Sequence, residues 1–177
     1  MTEEGRADER SRFAIFRGRD GRGFDEVDAM CAEPAAPANL EGWPKLAEAG
    51  YNEGHETRLL FAAPGFSLTY AWFKSGLPLP RHSHNVDCLY YVVAGSLRMG
   101  TEELRPGDGF FVGADTPYAY VPGDEGLEIL EFRSADRFSI KFLADNPAFW
   151  ARAVQEAERR REGWGSEGRP SQAPRPS

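Results

Sequence analysis

Residues 76–95, GLPLPRHSHNVDCLYYVVAG, place two histidines two positions apart, directly before an apolar run rich in aromatic residues. His82 and His84 are two of the three histidines in the chain. On a β-strand, residues i and i+2 point to the same face. Neutral imidazole is the commonest metal ligand in proteins. The spacing therefore predicts that both imidazoles face one cavity and share one metal ion. A solvated loop that contains both histidines by chance is the alternative.

The residues around this pair form a longer pattern. Five residues separate Gly76 from His82, and Gly95 follows the apolar run. A second block, LRPGDGFFVGADTPYAY at residues 104–120, has a Pro-Gly-Asp turn, an apolar run and a Thr-Pro step. The two blocks resemble the two signature motifs of the cupin superfamily, G-x5-H-x-H-x3,4-E-x6-G and G-x5-P-x-G-x2-H. The resemblance covers roughly the middle third of the chain and implies a double-stranded β-helix.

Short strands separated by glycine and proline turns are predicted throughout the same region. The predicted strands are residues 57–62, 66–74, 88–94, 97–100, 109–112, 118–121, 127–133 and 138–142. This spacing is typical of an antiparallel sandwich or barrel. The pattern and the resemblance together predict an all-β jelly-roll barrel, with an N-terminal extension and a C-terminal α-helix.

The first departure from the cupin pattern lies where the motif has glutamate. This chain has Cys88 there, with Asp87 beside it. A thiolate suits a soft or borderline metal, and an aspartate suits a harder one. Strand alternation predicts Cys88 on the face of His84 and Asp87 on the opposite face. In this cysteine the chain is similar to the thiol dioxygenases, a cupin branch. The alternative is that Cys88 is a small buried hydrophobic residue.

The second departure is that Tyr118 stands at the position of the third cupin histidine. A phenol beside a divalent or trivalent ion can ionise and bind as tyrosinate. Ectoine synthases, another cupin branch, resemble this chain in using a tyrosine ligand. The alternatives are a buried tyrosine with a hydrogen-bonded hydroxyl, or a general acid that needs no metal. The third histidine, His55, precedes the first predicted barrel strand and is predicted to be a surface loop residue.

The metal site implied by the resemblance holds iron, with manganese, nickel or zinc as alternatives. Its predicted ligands are His82, His84, Cys88 and Tyr118, with Asp87 and Glu131 as less favoured candidates. Glu131 is a candidate because alternation places it on the same face as Leu127 and Ile129, where it could enter the barrel as a ligand or base. His84 and Tyr118 are also the predicted catalytic residues.

The predicted cavity walls are aromatic and apolar, which suits a small organic acid or an aromatic compound. The predicted pocket residues are Phe66, Tyr70, Trp72, Tyr90, Phe110 and Tyr120. The first three of these alternate along one predicted strand. Arg98 and Arg133 are strand arginines that could clamp a carboxylate if they face the cavity.

Three functions are compatible with this site. The preferred one is a metal-dependent enzyme with dioxygenase-like or Lewis-acid lyase or isomerase chemistry. The second is a metal-free epimerase or isomerase with a histidine base and a tyrosine acid, which the sugar epimerase cupins resemble. The third is a cupin that binds a small ligand without catalysis, since a fold does not settle a function.

The chain is predicted to consist of five segments. They are a disordered tail at residues 1–12, an N-terminal extension packed on the barrel at 13–56, the barrel at 57–143, a helix at 144–162 and a disordered tail at 163–177. The tails are assigned from their charged or Gly-, Pro- and Ser-rich composition. Within the extension, residues 13–16 could form a strand and residues 39–49 a short helix.

Charge and composition narrow the expected partners. The chain has 28 acidic and 21 basic residues and a net charge of −7, which disfavours nucleic acids and anionic membranes. Two cysteines are too few for a disulfide framework, and we expect a bacterial, cytoplasmic protein from this and from the arginine-rich composition. The expected partners are a small-molecule substrate and a second copy in a homodimer. The aromatic face of the C-terminal helix is expected to pack either on the outside of the barrel or on the partner subunit.

Overall fold

A six-stranded and a three-stranded β-sheet form the centre of the molecule in the computed structural model, which describes residues 13–173. The strands are β1 (Met30–Ala32), β2 (His55–Ala63), β3 (Phe66–Phe73), β4 (His82–His84), β5 (Cys88–Met99), β6 (Glu102–Leu104), β7 (Gly109–Val112), β8 (Val121–Arg133) and β9 (Phe138–Phe142). The helices are α1 (Pro37–Glu48) and α2 (Pro147–Trp164). The predicted all-β jelly-roll fold is confirmed by this arrangement.

The larger sheet has the order β2-β3-β8-β5-β6, and β7 pairs with β5 beside β6. All of its pairings are antiparallel, and Tyr90 of β5 and Thr69 of β3 flank Glu131 of β8. The long strand β5 bends at two bulges, one of them next to Gly95. Gly95 has φ +71°, and a Cβ there would overlap the carbonyl oxygen of Gly126. The glycine of the sequence motif is therefore needed for close approach of two backbones.

The smaller sheet has the order β1-β9-β4. Strand β4 is only three residues long, and it pairs His82 with Phe142 and His84 with Ile140. On its other side, His82 forms an isolated two-way bridge with Tyr118, with N···O distances of 3.1 and 2.9 Å. The backbone thus places the histidine pair next to Tyr118. Residues 118–121 were predicted to be one strand, but Tyr118 makes only this bridge and β8 begins at Val121.

The two helices pack against each other and against the barrel. Asn146 caps α2 by accepting a hydrogen bond from the Ala148 N–H at 2.9 Å. Trp150 is buried where α2 meets Gly42 of α1, so closely that a Cβ at residue 42 would overlap the indole. The aromatic face of α2 is therefore covered within the chain, which is the first of the two alternatives expected for it.

The segment after α2 also packs on the barrel. Trp164 is 1% exposed and donates from Nε1 to the Ser75 carbonyl at 3.0 Å. The Glu167 carboxylate accepts from Ser75 N–H at 2.7 Å and from its hydroxyl at 2.8 Å. The prediction of a disordered tail is thus wrong for residues 163–173, because these contacts hold them against β3 and β8. The tail predictions for residues 1–12 and 174–177 lie outside the described residues.

The N-terminal extension differs from the prediction in its strands: β1 (Met30–Ala32) was not predicted, and β2 already begins at His55. Residues 13–17 form no strand and their side chains are exposed, whereas the predicted helix is present as α1. Within the described part of the chain, no helix has the length and apolar character needed to cross a membrane.

Candidate functional site

A cavity of about 490 Å³ opens between the two sheets. Aromatic and aliphatic side chains form most of its wall: Phe24, Met30, Trp43, Tyr51, Phe73, Leu79, Tyr120, Ile140 and Phe142. Its polar lining includes His55, Thr57, His82, His84, Tyr118, Glu131 and Arg133. All three histidines of the chain therefore face one cavity. The prediction that His55 is a surface loop residue is wrong, because β2 begins at His55 and pairs it with Phe73.

His82, Tyr118 and Tyr90 form a directed hydrogen-bond chain at the floor of the cavity. The Nδ1 of His82 lies 2.8 Å from the Pro80 carbonyl, which can only accept, so Nδ1 carries the proton. Its Nε2 is then an acceptor, and the Tyr118 hydroxyl donates to it at 2.8 Å. The Tyr90 hydroxyl in turn donates to the Tyr118 oxygen. Burial lowers the pKa of His82, which keeps this direction in the ligand-free site.

His84 is held in the same tautomer as His82. Its Nδ1 donates to the Ser139 carbonyl at 2.8 Å. Within the described residues its Nε2 has no hydrogen-bond partner and is not enclosed, so it opens on the cavity as an acceptor. Burial, together with the positive charge of Arg133, lowers the pKa of His84 to about 3. The imidazole is therefore neutral across the physiological range.

Glu131 and Arg133 form a buried ion pair on β8. The Arg133 Nη2 donates to the Glu131 Oε2 at 2.5 Å, and Nη1 donates to the Thr69 hydroxyl at 3.0 Å. The guanidinium carbon also lies 4.2 Å from the centre of the Phe138 ring. As predicted from alternation, Glu131 shares the inner face of the sheet with Leu127 and Ile129, and it lines the cavity.

Tyr118 remains a neutral phenol in this setting. Burial raises its pKa well above the usual value near 10, and the negative charge of Glu131 raises it further. Burial raises the pKa of Tyr90 in the same direction. The two phenols therefore act as hydrogen-bonding groups, and forming a tyrosinate at either position is costly.

The structure does not bring Cys88 or Asp87 to the histidines. Cys88 is buried beside Tyr90, and its thiol lies 3.5 Å from the Val86 carbonyl without lining the cavity. Burial raises the pKa of this thiol. Asp87 lies near the surface, where its carboxylate accepts from Ala114 N–H at 2.9 Å. The alternative stated for Cys88, a small buried side chain, describes its surroundings.

Most of the predicted pocket residues lie elsewhere. Tyr120 lines the cavity, whereas Tyr90 lies behind Tyr118 and stacks on Phe110 with ring centres 4.4 Å apart. Tyr70 and Trp72 point to the outer face of β3, under the Arg169 guanidinium. The prediction that these two residues line the pocket is wrong, because the inner face of β3 carries Ala71 and Phe73 instead.

The remaining predicted pocket residues also lie outside the cavity. Arg98 lines a separate groove beside α2, and Phe66 is half exposed on the outer face of the large sheet. Arg98 therefore cannot clamp a carboxylate that is bound in the cavity.

The resemblance of the two sequence motifs to those of the cupins implies a metal, and the donor groups of this site fit one only in part. Among residues 13–173, no group of three or more His, Cys, Asp and Glu side chains is placed to hold a metal ion. His82 and His84 supply two neutral imidazoles, but Tyr118 occupies the Nε2 of His82 and Arg133 neutralises Glu131. Of the predicted ligands, the structure brings His82, His84 and Tyr118 together and leaves Cys88 outside the cavity.

No protein-family model matches the chain, and no curated protein matches it either. Among solved structures, KdgF from a Halomonas species is 25% identical, with a TM-score of 0.41 over 46% of this chain and 79% of that one. An RmlC-like cupin from Shewanella frigidimarina is 23% identical, with a TM-score of 0.43 over 47% and 78%.

A protein of unknown function with a cupin-like fold, from Ralstonia eutropha, is 19% identical, with a TM-score of 0.45 over 66% of this chain and 81% of that one. The two sequence motifs lie in the two-sheet architecture where the cupin resemblance places them. The chain has the two-sheet jelly-roll architecture that its sequence predicts.

Proposed function

We propose that this chain is a cupin that binds a small apolar organic molecule in the cavity between its sheets and needs no resident transition metal to do so. The observation that carries the proposal is the complete hydrogen-bond chain Tyr90–Tyr118–His82 at the cavity floor. This chain pairs the hydroxyls of Tyr90 and Tyr118 with each other and with Nε2 of His82, without any further ligand, and the wall above it is mostly apolar.

The size and lining of the cavity support a small ligand. Pockets for small molecules are typically about 300–1,000 Å³, mostly apolar, with a few placed polar groups. The volume of about 490 Å³ and the aromatic wall formed by Trp43, Tyr120 and Phe142 fit this description. The cavity is too small for a large charged polymer and lacks the charged lining that would bind one.

The titration behaviour of the floor favours binding over proton transfer. A general acid or base works best when its pKa lies near the working pH. Burial lowers the pKa of His84 to about 3 and raises the pKa of Tyr118, so the first becomes a weaker base and the second a weaker acid. A metal-free His/Tyr epimerase is therefore less well supported than a binding role.

A metal-dependent enzyme, dioxygenase-like or a Lewis-acid lyase or isomerase, is the second candidate. It is favoured by one observation: His82 and His84 each donate Nδ1–H to a backbone carbonyl. This contact orients metal-binding histidines in many proteins and leaves Nε2 as the donor atom. Iron, manganese, nickel or zinc would be held by His82 and His84, with Tyr118 adjacent.

Metal analysis of the purified, untagged protein separates these candidates. We would measure metal content after anaerobic reconstitution with Fe(II), beside a His82→Ala/His84→Ala double variant. The proposal expects only substoichiometric metal, unchanged in the double variant. Stoichiometric metal that the double variant lacks would contradict it and support the metal-dependent enzyme.

Ligand binding is then measured directly, in the presence of EDTA, by NMR titration with benzyl alcohol. The proposal expects saturable binding. An Ile140→Trp variant should lose this binding because Ile140 lines the cavity and the larger side chain fills it. Leu40→Trp, on an exposed position of α1, is the matched control and should bind like the wild type.

A further inference from the structure

We propose, on the basis of the binding function above, that the ligand is an uncharged alcohol or phenol with an apolar ring, recognised through its hydroxyl by Glu131 and His84. The unpaired polar atoms of the floor, its net charge and the shape of the wall support this assignment.

The first unpaired atom is Oε1 of Glu131. Oε2 of the same carboxylate accepts from Arg133. Within residues 13–173, Oε1 has no hydrogen-bond partner, and it is not enclosed by protein atoms. Because Glu131 lines the cavity, Oε1 opens on it. An ionised carboxylate oxygen can only accept hydrogen bonds, so a ligand that pairs with it must supply the donor.

The second unpaired atom is Nε2 of His84, which is an acceptor because Nδ1 donates to Ser139. Two acceptors thus face the cavity from its floor. An ether or a hydrocarbon would displace water from both atoms without replacing the lost hydrogen bonds, which is unfavourable. A hydroxyl group donates to one of them and restores a bond.

The floor has no net charge to attract an ion. Glu131 and Arg133 neutralise each other, and Nε2 of His82 and of His84 is an acceptor, as in a neutral imidazole. The Arg133 guanidinium is directed at its neighbours in the protein: Nη2 donates to Glu131, Nη1 donates to Thr69, and Nε is enclosed by protein. A carboxylate would meet the free oxygen of Glu131 and be repelled. The small organic acid considered from the sequence is therefore disfavoured.

The side chains of the cavity wall determine which ligand body fits above the hydroxyl group. Trp43 packs edge-on against Phe142, with ring centres 4.8 Å apart, and both rings face the cavity. His55 also lines the wall, and within the described chain its ring nitrogens have no hydrogen-bond partner. A neutral imidazole both donates and accepts, as a hydroxyl does. The site therefore matches a flat apolar body that carries hydroxyl groups.

Three probes of similar size test the ligand class on the full-length protein in EDTA. Benzyl alcohol and anisole are isomers, and only the first has an O–H donor; benzoate is the anion. By NMR titration we expect benzyl alcohol to bind about fivefold more tightly than anisole, the effect of one hydrogen bond, and benzoate to bind most weakly.

The outcomes distinguish the two levels of the proposal. Anisole binding as tightly as benzyl alcohol, or benzoate binding most tightly, would overturn the alcohol assignment while the binding function stands. If none of the three probes binds, both the binding function and the ligand class are contradicted.

A charge-removing variant tests the role of Glu131. Glu131→Gln leaves the positive charge of Arg133 uncompensated at the floor, so we expect the order to invert, with benzoate tighter than benzyl alcohol. Glu128→Gln is the matched control, because Glu128 is a buried carboxylate on the same strand that bonds Tyr70 and Ser171 away from the cavity. It should keep the wild-type order. If a folded Glu131→Gln variant still binds benzyl alcohol more tightly than benzoate, the role of Glu131 is overturned. The ligand class itself is decided by the wild-type titrations, which need no variant.

Discussion

On β5, Tyr90 points into the barrel and is 1% exposed, whereas its neighbour Leu89 points outward and is 51% exposed. On β8, Glu131 and Arg133 point inward and Phe132 between them points outward. The inner face of these strands thus carries a buried polar floor, and the outer face carries an exposed apolar row. This is the reverse of the usual half-buried sheet.

The difference shows how a sheet can serve two surfaces with different chemistry. Two buried polar groups of the inner face are each bonded to a neighbour: Tyr90 to Tyr118, and Glu131 to Arg133. Their burial is tolerated because these bonds replace water. Leu89, Phe111 and Phe132 of the outer row are apolar and need no such bond. The two faces should therefore contribute differently to the free energy of unfolding.

The largest effect is expected from breaking the inner ion pair. Arg133→Met leaves the Glu131 charge buried without a partner, and we expect the free energy of unfolding to fall by about 3–5 kcal/mol. Urea denaturation measures this loss. The matched control is Arg58→Met, which breaks the Arg58–Glu56 pair at the outer face of the same sheet and should cost under about 1 kcal/mol. Similar losses in both variants would show that the two faces do not differ in this way.

Acidification should destabilise the protein through the inner face. His84 has a pKa of about 3 in the folded chain and a usual value of 6.5, so between these values the unfolded chain binds a proton that the folded chain does not. Stability should therefore be complete above about pH 6.5 and fall as the pH drops, by at most about 1.4 kcal/mol per pH unit from this group. His82 and His55 shift in the same direction.

Denaturation midpoints measured from pH 7.5 to pH 5 test this slope. His84→Gln should show a shallower slope than the wild type, whatever its absolute stability. A slope that is unchanged in this variant would mean that His84 does not titrate as its burial implies.

The smallest effect separates two adjacent tyrosines. Tyr90→Phe removes the hydroxyl that donates to Tyr118, and we expect a loss of about 1 kcal/mol. Tyr91→Phe removes a hydroxyl from the exposed outer face and should change stability by less than about 0.5 kcal/mol. Thermal or urea unfolding of the two variants in parallel gives the difference. Equal effects would indicate that the floor network adds nothing to stability.

Several features of the site follow from local spacing and were predictable. The two-residue spacing of His82 and His84 sends both imidazoles into one cavity because strand side chains alternate. The same rule places Glu131 on the inner face with Leu127 and Ile129. Tyr118 comes beside His82 because the second motif returns the chain to β4.

The pocket residues on β3 could not be predicted, although their alternation was visible. Tyr70 and Trp72 do share one face, but it is the outer one, where Arg169 covers both rings. Periodicity gives the interval between like-facing residues and does not say which set faces the core. Because Arg169 of the C-terminal segment covers these two rings, β3 carries aromatic side chains on its outer face as well as apolar side chains on its inner face.

The sequence by itself determined the jelly-roll fold, the histidine pair and the glycine at residue 95, because these depend on turns, strand alternation and motif spacing within short stretches. Tertiary structure alone decided that His55 joins the cavity, that Arg133 neutralises Glu131, that Cys88 stays outside the cavity and that residues 163–173 pack on the barrel. These outcomes depend on which strands become neighbours. Packing between residues far apart in the chain sets them, and no local pattern encodes it.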